Sequence, residues 1–162
     1  MHTINLLIGN NDRRISNLVE ALVLDICYER VAVDTYRTAQ LIDFARRAAS
    51  GRYDLAILAP GHLDRDSALK SEVTTEGVIS AMTDVKKRAD IPLVAINTSG
   101  EIVEPLLEVG LDAVLTAPFD ADALRFELRR ILRIPERVAP SLEPKHISFF
   151  GALFPSLRPR RA

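Results

Sequence analysis

Short apolar runs alternate with amphipathic stretches from the start of this chain to about position 133. Ile4-Asn5-Leu6-Leu7-Ile8 is strand-like and is stopped by Gly9-Asn10-Asn11-Asp12, whose polar side chains suit the cap of a following helix. Beyond it Ile15, Leu18, Val19 and Leu22 recur at helical spacing. A second strand is predicted over 30–36, where Val31, Val33 and Thr35 alternate with Ala32 and Asp34, followed by a helix from Thr38 to Ala49 that stops at Gly51. The run from Leu55 to Ala59 is too apolar to have a wet face, which predicts a central strand, and Pro60-Gly61 ends it.

A polar stretch, His62 to Ser71, precedes a predicted helix from Glu72 to Arg88. A fourth strand over Pro92 to Asn97 is broken by Thr98-Ser99-Gly100, and a short helix from Ile102 to Val109 ends at Gly110. The fifth strand, Ala113 to Thr116, is closed by Pro118, and a last helix runs from Asp120 to Arg133 with Leu124, Leu128, Ile131 and Leu132 on one side. Strict alternation of five strands with five helices predicts a doubly wound α/β domain over residues 1–133, with ligands expected outside the carboxyl ends of the strands.

After Ile134 the composition changes. Residues 134–162 hold five of the nine prolines and carry five basic residues against two acidic ones, so this tail is +3, the preceding part is -4, and the chain is -1. Proline resists helix and sheet, so Pro135 to Pro144 reads as an extended linker. The cluster of Phe149, Phe150, Leu153 and Phe154 beyond it is apolar enough to dock on its own domain or on a second subunit. The terminal Arg158-Pro159-Arg160-Arg161 reads as a solvated basic end.

With 162 residues, 48% of them hydrophobic, the chain can bury a real core. Its near-neutral balance gives no general electrostatic grip on nucleic acid or an anionic membrane, and neither is expected as a partner. The lone Cys27 excludes an intramolecular disulfide and a multi-cysteine metal site, and reads as a small buried hydrophobe in a reducing cytoplasm. No signal peptide is visible, and no apolar stretch approaches the ~18 residues of a membrane span. His2, His62 and His146 are scattered, so no compact histidine metal motif is readable. No cofactor and no metal are expected.

Four segments carry a resemblance: the turn Asn10-Asn11-Asp12, the strand 54–60, the strand 91–98, and Gly110-Leu111-Asp112-Ala113-Val114-Leu115-Thr116-Ala117-Pro118-Phe119-Asp120. Together, in this order and each at a strand end, they resemble the receiver domain of two-component response regulators over residues 3–133. The resemblance implies a flavodoxin-like, CheY-like (βα)5 sheet with strand order 2-1-3-4-5. It also implies a phosphoryl-transfer site, most of whose parts are missing. The acidic pair that would hold Mg²⁺ reads Asn10 and Asn11, with only Asp12 beside them, and neutral amide oxygens bind this hard cation weakly. The phosphoacceptor position is Ala59, which has no nucleophilic atom. The lysine before the Pro-Phe pair is Ala117, the hydroxyl residue of strand four is Asn97, or Thr98 after a one-residue shift, and the switch aromatic is Val114.

The reading that results is a pseudo-receiver, not an enzyme, that regulates by phosphorylation-independent contact with protein partners of a signalling pathway. By resemblance its contact surface, for partners or a homodimer, is the fourth helix, fifth strand and fifth helix, near Glu101 to Val109 and Leu124 to Arg133. The alternative is a small-ligand-binding flavodoxin-like domain whose crevice is lined by Asn10, Asn11, Ala59, Asn97, Thr98 and Thr116. Asp64 and Asp66 read as solvated loop charges, Asp12 as a helix cap and His62 as an exposed loop histidine.

Overall fold

A computed structural model describes residues 2–28, 31–64 and 73–134. The order of elements is β1 (His2–Gly9), α1 (Arg13–Ile26), β2 (Val31–Thr38), α2 (Leu41–Ala48), β3 (Leu55–Leu58), a 3-10 turn (Pro60–His62), α3 (Thr75–Arg88), β4 (Leu93–Thr98), α4 (Gly100–Val109), β5 (Ala113–Thr116) and α5 (Ala121–Ile131). All strand pairs are parallel and the sheet runs β2-β1-β3-β4-β5. β3 is therefore central, and all four of its residues are buried, as its unbroken apolar run requires.

Alternation along the strands sends side chains into two separate cores. Leu6, Ile8, Ile57, Val94 and Ile96 face α1 and α5, where they meet Val19, Val23, Leu124 and Leu128. Leu7, Ala56, Leu58, Leu93 and Ala95 face the other way, against Phe44 of α2, Val78 and Met82 of α3, and Ile102 and Leu106 of α4. Gly9 sits where the sheet and α2 come closest. A Cβ there would lie 2.7 Å from both Leu58 Cδ1 and Phe44 Cδ2, two fully buried side chains, so only hydrogen fits.

Element ends differ from the sequence-based bounds by one to three residues wherever a cap decides them. Strand β2 extends to Thr38, and α2 starts at Leu41, because Thr38 Oγ1 accepts the N–H of Gln40 in a local turn. Thr74 Oγ1 accepts the N–H of Gly77, so α3 begins at Thr75 and not at Glu72, which lies outside the described residues. Gly110 closes α4 at φ +103°, with the Leu111 N–H donating to the Leu106 carbonyl.

Two aspartates just before strands tie the sheet together. Asp54 Oδ2 accepts the N–H of Asn5 at 2.8 Å, and Asp112 Oδ2 accepts the N–H of Leu93 at 2.8 Å. Each satisfies a backbone donor near the start of the neighbouring strand, where no ladder partner is available. Because every pair is parallel, the carboxyl ends of all five strands lie at one end of the sheet.

Candidate functional site

The strand ends and their following loops bring together Asn10, Asn11, Asp12, Ala59, His62, Asp64 and Asn97. Backbone hydrogen bonds hold the loop after β1 against the loop after β3. Ala59 N–H donates to Gly9 O, Asn11 N–H to His62 O, and His62 N–H to Ala59 O. Pro60 opens the 3-10 turn, where its missing N–H costs nothing, and that turn aims His62 across the strand ends toward β4.

Asn10, Asn11 and Asp12 each make a side-chain hydrogen bond within the protein. Asn10 is fully buried and its amide donates to Ser16 Oγ at 3.3 Å, while its Oδ1 has no hydrogen-bond partner among the described residues. Asn11 is exposed and donates from Nδ2 to Asp64 Oδ1 at 3.1 Å. Asp12 caps α1 by accepting the N–H of Arg14 at 2.9 Å and pairs with the same residue's guanidinium at 2.9 Å. Those hydrogen bonds from Arg14 hold the Asp12 carboxyl below the usual carboxylate range.

On β4, Asn97 adopts a left-handed backbone, φ +55°, and its Nδ2 lies 2.5 Å from His62 Nε2. Asparagine tolerates that region better than most residues with a Cβ. Thr98 is buried, and its hydroxyl donates to the Leu115 carbonyl at 3.0 Å, so it faces β5. Ala59 is 1% exposed and packs into the α1/α5 core, whereas Ala117 and Thr116 are exposed. The Ala117-Pro118 peptide is cis, and the Ala117 N–H donates to Thr98 O.

Two expectations about site residues are corrected by the structure. Leu124 cannot belong to a contact surface, because it is fully buried under α5 against the sheet; Phe126, 67% exposed, is the apolar residue that α5 presents to solvent. His62 is half-buried and bonded to Asn97, where an exposed loop histidine was expected. A histidine three residues past an apolar strand gives no pattern that marks it, and only the 3-10 turn brings it to β4. Glu101 and Arg133 are exposed and Val109 is half-buried. Asp66 and the cluster Phe149, Phe150, Leu153 and Phe154 lie outside the described residues. Cys27 is buried, and burial pushes its thiol pKa up.

No protein-family model matches the sequence, and no curated protein matches it. Solved structures do match. The receiver domain of a sensor histidine kinase from Pseudomonas aeruginosa PAO1, with magnesium coordinated in its active-site cleft, is 18% identical with TM-score 0.55, covering 81% of this chain and 98% of that one. A two-component response regulator from Clostridium difficile matches at 17% identity and TM-score 0.57, over 80% and 96% of the two chains. The same strand order and nearly whole-length superposition decide the architecture. The chain has the receiver fold. A pilus assembly protein, CpaE, from Caulobacter crescentus shares that fold too, at 13% identity and TM-score 0.57 over 81% and 99%. At such identities the likeness is one of fold.

Magnesium does not fit the receiver-fold strand ends of this chain. A hard dication selects carboxylate oxygens, but Asn10 and Asn11 supply only neutral amide oxygens, Asn10 being fully buried, and the Asp12 carboxylate is engaged by Arg14. Among the described residues no group of three or more His, Cys, Asp or Glu side chains could hold a metal ion. Nor is any described helix long and apolar enough to cross a membrane.

Proposed function

We propose that this chain is a pseudo-receiver, a regulatory module in signal transduction that contacts a protein partner without being phosphorylated. One observation carries the reading: the residue that closes β3, at the centre of the strand-end face, is Ala59, a buried methyl group with no atom able to accept a phosphoryl group. The amide nitrogens of Asn10 and Asn11, His62 and Asp12 make hydrogen bonds within the protein, and Ala117 offers no ammonium group. With no covalent switch, such a domain responds only to a ligand or partner that binds one of its conformations better. The contact surface in this reading runs over α4, β5 and α5, with Glu101, Leu107, Val109 and Arg133 as its exposed or half-exposed members, and a homodimer would use the same surface.

Incubation with a small-molecule phosphodonor and Mg²⁺, followed by intact-mass measurement, tests the proposal. The mass should stay unchanged. A stable gain of one phosphoryl group, mapped to residues 59–64 of the folded protein, would overturn it.

A second reading, a small ligand in the strand-end crevice, is favoured by the buried Asn10 Oδ1, an acceptor that lacks a donor. A ligand that binds only the native state raises the melting temperature, so a thermal-shift screen with nucleotides, cyclic dinucleotides and flavins separates the two.

A further inference from the structure

The outward face of α5 is built for covering. Phe126 is 67% exposed, the highest value for any large described hydrophobic residue. Arg125, Arg129, Arg130 and Arg133 surround it, and Ile134, the last residue described, completes the row. A cavity of about 700 Å³ lies along this face. Its described lining comes entirely from α5 and the turn after it, so no other described element shelters Phe126.

We infer that the apolar segment Ile147–Phe154 of the same chain docks on this face, with its phenylalanines against Phe126 and the arginine side chains. The chain leaves the described domain at the face itself, since Ile134 lines it. The 12 residues 135–146 then separate Ile134 from the segment. A linker of that length spans about 20 Å as a flexible coil and up to about 40 Å if extended, against about 16 Å for the 11 residues of α5. Tethering at this range corresponds to an effective concentration of order millimolar, which a free partner rarely reaches.

The chemistry of the two surfaces matches. Residues 147–154 carry no charge, and three of the eight are phenylalanine. Guanidinium planes stack on aromatic faces and keep their solvent-facing hydrogen bonds while doing so, so an Arg-rich face accepts phenylalanine without desolvating charge. A second copy of the same face fits less well. A two-fold contact would set the arginines around Phe126 of one copy against the same arginines of the other. The inference goes beyond the pseudo-receiver reading and does not depend on it, because it is argued from the outward face of α5 and not from the strand-end residues; a docked segment would cover Arg133 of the contact surface proposed above.

The test uses the full chain in three forms: unaltered, Phe126→Asp, and Phe149→Asp with Phe150→Asp. Trypsin cleavage after Arg137 and Lys145 is followed by mass spectrometry at native pH, with mass in solution measured by light scattering and melting by circular dichroism. Docking predicts a monomer whose tail is cut slowly, and both variants should be cut faster by about tenfold or more while melting near the unaltered temperature. The double variant alters no residue of the domain, so its result stands even if Phe126→Asp folds poorly. Equal cleavage rates in the unaltered chain and the double variant would overturn the inference. So would an unaltered dimer that Phe126→Asp converts to a monomer, since the occupant would then be a second copy.

Discussion

His62 and Asn97 meet across the carboxyl ends of β3 and β4, with Nε2 and Nδ2 2.5 Å apart. Either the amide nitrogen donates to an unprotonated Nε2, or the amide is turned over and accepts from Nε2–H; both arrangements link the loop after β3 to the end of β4. This link lies beside Ala59, at the end of the sheet where a receiver would do its chemistry, and it makes that end a fixed structural element.

The link and the Asn97 backbone contribute separately. Replacing Asn97 by Ala removes one partly buried hydrogen bond and leaves a residue with a Cβ at φ +55°, for a loss of about 2 kcal/mol. Asn97→Gly loses the hydrogen bond but relieves the backbone, so it should cost about 1 kcal/mol less than Asn97→Ala. Urea unfolding of both, combined with His62→Ala in a double-mutant cycle, should give a coupling of about 1 kcal/mol between positions 62 and 97. A coupling near zero would mean that the contact holds nothing.

The fold was legible because its determinants are local. Apolar runs too short and too uniform for surface helices named the strands, and Leu124 and Leu128 at helical spacing pointed α5 at the sheet. The position of Asp12 beside a helix start likewise announced a cap. Misplaced helix starts came from Thr38 and Thr74, whose hydroxyls compete with the backbone within one turn, an effect that apolar periodicity does not register. The site was legible only as a set of missing groups. Which of the remaining polar residues touch each other depends on a 3-10 turn and on the left-handed Asn97, and neither leaves a periodic trace in the sequence. Naming Leu124 as a contact residue treated the helix as a whole, when its own spacing had already placed that residue in the core.

Asp12 gives a pH dependence whose sign is fixed. Hydrogen bonds from Arg14 hold its folded pKa below the usual carboxylate value. Its contribution to stability is therefore complete above the unfolded pKa, near pH 4, and is lost as the pH falls through the folded value. Asp12→Asn keeps a capping oxygen but does not titrate. The melting temperature of the unaltered chain should exceed that of Asp12→Asn at pH 7, and the gap should narrow as the pH falls below about 4. A gap that is constant with pH would show that the carboxylate charge is irrelevant to the cap.

Restoring a carboxylate at the end of β3 should damage the protein without restoring any chemistry. The Ala59 methyl group is 1% exposed and packs with the α1/α5 core, so Ala59→Asp places an acid where water does not reach. Burial raises the folded pKa of such a group above its unfolded value, because the charged form loses its solvation. The destabilisation is therefore largest at pH 7, about 2 kcal/mol or more, and is relieved as the pH falls toward 4 and the acid becomes neutral. Phosphodonor and Mg²⁺ should still give no mass change, since Asn10 and Asn11 offer the metal only neutral amide oxygens and position 117 has no cation to meet the phosphoryl oxygens. If Ala59→Asp instead takes up a phosphoryl group, the neighbouring residues are a working metal site after all, and the loss of function in this chain rests on that single alanine.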